Sequence, residues 1–423
     1  MKSLKMIIVT ICFIYQVIFP QIKSEDIKEA ILSNGLKVLI LEVHAYPLVS
    51  VNMTYHAGSV DDISEGATGL AHLLEHMSLK GTSSISQKEL LDYYQKHGGV
   101  ITNKIATTGK FLTSYNLNMP SNMIEFMIMF EADRMKNLSF EGFEREKKVI
   151  LSEGKINESN IFEKLHTDFI ASSFTDDPFR NPVIGWTSDV KNITLQQVKS
   201  FYRKYYNPQN ATLSIVGDVN YHETLELVGK YFGNIQNDDS ADVYKLNKVD
   251  SFPGEIKKEI RSENGAAALE VGFRIPINKD LQPVFDVIGA LLENRLERNK
   301  NIRKIVIDNS SSSVSKIFSV IVIPTENKHL DTLETMIKAE LENMVLGKDE
   351  INNIITRMKT EYFRKLYVNE EIASALGKFS ELFNDWEYFV DYPELIDKVT
   401  TDKISQISKK YFNPENRIIS KLY

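Results

Sequence analysis

The chain has 423 residues, more than one ordinary core of about 100–150 residues accommodates, so two or more domains are expected. Its 43% hydrophobic and 25% charged residues are an ordinary globular balance, and a net charge of -7 with scattered basic residues argues against nucleic-acid binding. The single cysteine, Cys12, excludes an internal disulfide framework and a Cys-rich zinc site, so any metal must be held by His and carboxylates.

In chain order, Lys2 and Lys5 precede an apolar run over 6–19, then Pro20 and a polar stretch. This fits a secretory signal peptide over 1–24 and falls short of the ~20 apolar residues a bilayer span needs. Ile22-Lys23-Ser24 is a poor small-x-small cleavage site, so an uncleaved N-terminal anchor is the alternative. The expected location is exported, periplasmic or secreted, with no membrane span unless the leader is retained.

Asn34-Gly35 between apolar runs at 27–32 and 36–43 predicts a type I′ hairpin, and alternating Val49, Val51, Met53 and Tyr55 a half-buried strand. Thr68 is placed to cap a helix that ends at Gly81. Ser86 and Glu89 form a capping box for a second helix, closed by Gly98-Gly99. Strand-like runs at 100–106 and 111–117 lead to a third helix capped by Ser121 and a long fourth after Ser139. This order predicts an α+β fold in which an antiparallel or mixed sheet packs against helices.

A repeat divides the chain. Residues 193–216 (ITLQQVKSFYRKYYNPQNATLSIV) and 399–422 (VTTDKISQISKKYFNPENRIISKL) superpose at an offset of 206 residues, aligning Lys204 with Lys410, Tyr205 with Tyr411, and Asn207-Pro208 with Asn413-Pro414. Each copy reads as an amphipathic helix, an Asn-Pro break and a final strand. With a polar stretch before Pro253-Gly254, two related domains are expected at 25–238 and 252–423, joined by a linker at 239–251.

His72-Leu73-Leu74-Glu75-His76 carries the chemistry. At about 100° per residue the two imidazoles share one helix face with Glu75 beside them, while Leu70, Leu73, Leu74 and Met77 lie nearly opposite. Two His at i and i+4 can reach one tetrahedral Zn²⁺, and the adjacent Glu can take a proton from a water the metal activates. The order H-x-x-E-H inverts the commoner H-E-x-x-H. A catalytic zinc needs a third protein ligand. His56, His97 and His166 stand in no obvious arrangement, and spacing alone does not choose among Glu141, Glu144, Glu146, Glu153 and Glu158.

The run GLAHLLEHMSLKGT at 69–82 resembles the active-site helix of the insulinase/pitrilysin zinc metallopeptidases. Its nearest likeness is the branch of the mitochondrial processing peptidase β-subunit and short bacterial zinc proteases. GGVITN (98–103), EADRM (131–135), EREKKVILSE (144–153), NPVIGW (181–186) and YYNPQNATLSIVGDV (205–219) follow in order, covering nearly the whole first half. The second half resembles the family mainly through its terminal helix and strand. The resemblance implies a two-domain α+β zinc endopeptidase whose second domain is metal-free, with His72, His76 and Glu153 on one Zn²⁺ and Glu75 as base. It implies Glu146 as an orienting group, Asn103 and Arg303 as substrate contacts, and a peptide substrate added to a sheet edge.

Two departures stand out. Lys104 follows Asn103 where many relatives have Ala, and seven residues beyond Arg303, where relatives carry a substrate-facing Tyr, stands Ser310. No Tyr occurs between Tyr244 and Tyr362. The resemblance therefore implies a related, metal-free sister subunit that supplies the Arg/Tyr pair in a heterodimer. The alternatives are a monomer or homodimer with another donor, such as a hydroxyl within 310–313, and a non-catalytic peptide-binding subunit.

Overall fold

A computed structural model describes residues 22–100, 102, 104–237, 254–262, 265–308 and 316–423. Most of the leader, the linker at 239–251, Asn103 and residues 310–313 lie outside the described residues.

The first half opens with β1 (Ile27–Ile31) and β2 (Lys37–Glu42), paired antiparallel. Their turn is not type I′, which needs two left-handed central residues. Only Gly35 is left-handed, at φ 91°, and its N–H donates to the Leu32 carbonyl at 2.8 Å. Asn34 keeps a negative φ because its amide is used elsewhere, donating to the carbonyls of Phe232 and Ile235 at 2.9 Å each. Then come β3 (Leu48–Tyr55), α1 (Leu70–Ser78), α2 (Gln87–Lys96), β4 (Ala106–Thr108) and β5 (Thr113–Pro120). They are followed by α3 (Ile124–Lys136), α4 (Phe143–Ser159), α5 (Ile161–Ser173), α6 (Thr187–Asn192), α7 (Leu195–Tyr205), β6 (Ala211–Gly217) and α8 (Tyr221–Phe232). The Ser86–Glu89 capping box opens α2 as its sequence predicts. Ser121 does not cap α3: its hydroxyl donates to Asp218 at 3.2 Å, and a 3₁₀ turn over Ser121–Met123 leads into the helix. Of the described residues in the strand predicted over 100–106, only Ala106 enters β4, while the side chains of Thr102 and Lys104 meet Glu370 and Glu371 in the second half.

The second half contains β7 (Ile256–Ile260), β8 (Ala268–Arg274), α9 (Gln282–Leu296), β9 (Ile302–Asp308), β10 (Ile317–Pro324) and α10 (Leu330–Glu342). It ends with α11 (Lys348–Lys365), α12 (Asn369–Phe383), α13 (Glu387–Asp397), α14 (Thr401–Tyr411) and β11 (Arg417–Leu422). The sheets run β1-β2-β6-β3-β5-β4 and β7-β11-β8-β10-β9. Each has one parallel pair, β2 with β6 and β11 with β7, so apart from β1 the two orders correspond strand for strand. The fold is α+β with two related mixed sheets. The 206-residue offset also carries the 13-residue α3 onto the 13-residue α10, and α7 onto α14.

The halves exchange a helix. Helix α5 lies against β8 and β11 of the second sheet, and α12 lies against β3 and β6 of the first. The first sheet is thereby covered on both faces. Val38 and Ile40 of β2 enter one core, Leu39 and Leu41 the other, which accounts for an unbroken apolar run where a one-sided strand would alternate. Gly377 permits the close docking of α12, since a Cβ there would sit 2.4 Å from Asn52 Oδ1 and 2.6 Å from Thr54 Oγ1.

Candidate metal centre

Helix α1 buries Leu70, Ala71, Leu73, Leu74 and Met77 in the first core, which turns His72 and His76 to the opposite side. Its start is held by a residue outside any local motif. Asp62, fully buried, accepts the Gly69 N–H at 2.6 Å and the Ala71 N–H at 2.8 Å, and burial raises its carboxyl well above the usual range. Thr68, expected as the cap, acts sideways instead. Its hydroxyl donates to Asp189 at 2.8 Å and accepts the Trp186 N–H at 2.8 Å. The two segments cross backbone to backbone: Gly69 and Gly185 have φ of 89° and 83°, and a Cβ on Gly185 would lie 2.6 Å from the Thr68 carbonyl oxygen. This gives the glycine of NPVIGW its physical reason.

Helix α4 buries Phe143, Lys147 and Ile150 and is pinned by the Lys147 ammonium, which donates to the Ile193 carbonyl at 2.9 Å. Two turns separate Glu146 and Glu153, and both meet α1. Glu153 Oε2 lies 3.7 Å from His76 Nε2, and Glu146 Oε2 lies 3.7 Å from His76 Nδ1 and 3.1 Å from Lys80 Nζ. The two imidazole centroids are 4.7 Å apart at 71°. One ligand atom each from His72, His76 and Glu153 falls within 4.8 Å of the others, the one such group among the described residues.

The donor set fits zinc. Ligand atoms around a tetrahedral Zn²⁺ stand about 3.3 Å apart, so small side-chain rotations close the group, and a fourth position stays open. Burial, then the neighbouring His76, lowers His72 to about 4, which keeps it in the neutral form a ligand needs. His72 Nδ1 is buried without a hydrogen-bond partner. With Glu146 facing His76 Nδ1, the lone pair of Nε2 is left for the Glu153 side.

Glu75 lies beside this group and shares a cavity with Thr108 of edge strand β4. Burial raises its carboxyl, while Thr108 and His76 pull it back and Glu153 pushes it further up. A cavity of about 430 Å³ joins His72, Glu75 and Glu153 to Thr108, His166 and Ile184.

Of the remaining expected site residues, Asn103 lies outside the described residues and Arg303 does not join the group. Arg303 lies exposed on β9, on the strand face shared with Ile305 and Ile307, which pack on the second core. Lys104 is ion-paired with Glu371, so its charge is matched from the second half. His166 of α5, which sequence gives no role, lines the cavity. Its Nδ1 lies 2.9 Å from Glu270 and its Nε2 3.7 Å from Asp308, and the Ser319 hydroxyl donates to Glu270 at 2.7 Å. Burial opposes its protonation, but Glu270 and then Asp308 outweigh it and raise the imidazole to about 9. Partners more than 100 residues away leave no local signal.

Residues 37–185 match the family model for insulinase (Peptidase family M16), and residues 192–358 the model for the Peptidase M16 inactive domain. The zinc protease PqqE of Helicobacter pylori is 23% identical, covering 90% of this chain and 89% of its own. The β-subunit of the Dictyostelium discoideum mitochondrial-processing peptidase is 26% identical over 55% of this chain and 49% of its own. The crystal structure of a protease from Helicobacter pylori shares the fold with a TM-score of 0.86 at 21% identity, over 94% of this chain and 99% of that one. The periplasmic protease PqqL from Escherichia coli does so with 0.73 at 18%, over 96% of this chain and 48% of that one, so this chain spans about half its length. The chain belongs to the insulinase family of peptidases, M16.

Proposed function

We propose that the chain is a zinc-dependent endopeptidase acting on peptides or unfolded segments. The observation that supports it is the convergence of His72, His76 and Glu153 with Glu75 beside them, opening on the edge strand β4. Zinc held by the three ligands would supply a Lewis acid for the scissile carbonyl and make a water acidic enough to attack. Glu75, which faces the same cavity, takes the proton of the attacking water and delivers it to the leaving amine. Free backbone groups along β4 pair with an extended substrate, a mode that tolerates varied sequence.

The second half carries no Tyr between 244 and 362, and a protein of similar fold that matches 96% of this chain is about twice its length. Both support a chamber closed by a related, metal-free chain. The leader and the periplasmic neighbour support export. Among the described residues no helix is long and apolar enough to cross a membrane.

The test separates metal from chemistry. Glu153→Gln is expected to lose zinc, whereas Glu75→Gln keeps zinc and fold but loses about 10²–10⁴ in rate. Wild-type zinc content in Glu153→Gln overturns its role as ligand, and wild-type hydrolysis by Glu75→Gln overturns its role as base. A zinc-loaded chain that cleaves no peptide with or without its sister subunit is a binding subunit.

A further inference from the structure

Thirteen large apolar side chains are exposed among the described residues, and five of them gather at one end of the first sheet. Tyr46, 69% exposed, and Leu48 stand where the chain enters β3, and Tyr367, 56% exposed, and Val368 link α11 to α12. The two segments touch, since the Asn369 side-chain amide donates to the Leu48 carbonyl at 3.4 Å. Val100 belongs to the same end: Leu48 is paired with Pro120, and the Val100 N–H donates to the Asn118 carbonyl two residues earlier, at 3.0 Å. Single exposed apolar residues are ordinary, but a gathered set marks a surface that meets something apolar.

The surroundings and the path of the chain say what that is. The acids bordering the patch are engaged: Asp218 lies 2.7 Å from His44 Nδ1, Glu371 pairs with Lys104, Glu370 accepts the Thr102 hydroxyl at 2.8 Å, and Glu42 accepts the Tyr221 N–H at 2.6 Å. Arg364 and Lys365 close α11 just before Tyr367. Tyrosines, aliphatic side chains and cations with long stems together suit the headgroup boundary of a bilayer. Ile27, the first residue of β1, pairs with Leu41, one residue before β2 ends and the chain turns toward Tyr46. Residues 1–21 therefore join the fold at this same end, three strand spacings or about 14 Å from β3. They contain the apolar run over 6–19, which is too short to cross a bilayer and long enough to enter one leaflet, and the cleavage site after it is poor.

We propose that this end of the first sheet rests on a lipid bilayer, held by the retained apolar run at 6–19, with Tyr46, Leu48, Tyr367 and Val368 in the headgroup region. The contact is apolar, so zwitterionic lipid suffices for it.

The test uses the full chain and phosphatidylcholine vesicles with bromine on the upper acyl carbons. Tryptophan is placed in the patch (Tyr46→Trp) or at the opposite, equally exposed end of β1 (Ile31→Trp), and each signal is read as the difference from wild type. The patch reporter is expected to shift to shorter wavelength and be quenched, while the Ile31→Trp reporter keeps its spectrum. Replacing Tyr46, Leu48 and Tyr367 together by serine should weaken vesicle partition about tenfold with the leader intact. Thermal melting checks that this variant folds, and the two reporters decide the matter if it does not. An unquenched patch reporter overturns the proposal, because the leader alone then carries any binding. Equal quenching of both reporters overturns the orientation. A patch signal that follows protein concentration without vesicles assigns the surface to a second copy of the chain and overturns it too, as does a membrane-purified chain whose N-terminal sequence begins beyond Phe19. None of these readouts uses zinc or hydrolysis, so their failure is distinct from failure of the endopeptidase reading.

Discussion

Asp62→Ala tests whether the metal site depends on the turn that precedes its helix. The carboxylate is fully buried and holds the N–H groups of Gly69 and Ala71, so alanine leaves two backbone donors in the core without acceptors. Losing an N-terminal cap costs about 1–2 kcal/mol, and stranding a second buried donor adds about 1–3 kcal/mol. Burial also raises the Asp62 carboxyl, so part of that bond energy already offsets desolvation. The expected net cost is therefore at the lower end, about 2–3 kcal/mol. Gly69 lies three residues before His72, so fraying reaches the first ligand within one turn, and zinc affinity should fall about 10–100-fold, as when a group orienting a ligand is removed. Asp62→Asn keeps the shape and one acceptor and should lose roughly half as much. Thermal melting with and without chelator reads the stability, and competition with a chromophoric chelator reads the affinity. An Asp62→Ala protein that melts and binds zinc like wild type refutes the reasoning.

Two more predictions follow from the geometry around the site. Glu146→Gln should keep the fold but weaken zinc binding about 10–100-fold, measured by chelator competition; unchanged affinity would reduce Glu146 to a partner of Lys80. His166, raised to about 9 in the fold from an ordinary 6.5, contributes stability that is full below about pH 6.5 and lost as pH rises through about 9. The wild-type melting temperature should fall across that window while that of His166→Gln stays level, and parallel curves would refute the assignment.

What could be read from sequence divides along one physical line. His72, Glu75 and His76 were legible because one helical turn contains them, and the apolar stripe beneath fixes where they point. Glu153 was not legible from spacing, which left five acids open. Its selection needed the family resemblance, because the contact is made by α4 crossing α1 and not by any local period. Thr68 resembled an N-cap, but Gly69 takes a left-handed φ and moves the helix start beyond it, leaving the capping to Asp62 across a turn. Only the terminal helix and strand of the repeat were visible in residues. Elsewhere the two sheets agree in strand order, and α3 and α10 agree in length, while their side chains differ.

The exchanged helices explain how the second half bears on the candidate metal group. At the 206-residue offset, Glu153 falls on Lys359, which is ion-paired with Asp397, and Glu146 falls on Asn352, so neither of these two carboxylates has a counterpart in α11. Helix α4 ends at Ser159 and α5 begins at Ile161, so the helix carrying Glu153 is joined within two residues to one seated on the second sheet. That seat is specific: His166 holds Glu270, and the Arg274 guanidinium donates to the Ser173 carbonyl at 2.6 Å. In return α12 reaches the first sheet, where the Ser374 hydroxyl donates to Asn116 at 3.0 Å and Glu371 meets Lys104 near the edge strand. A displacement of the second sheet therefore moves α5, and through α5 the C-terminal end of α4, before it moves anything held by α1. Of the three proposed ligands, Glu153 is the one carried by the helix that leads directly into the second half.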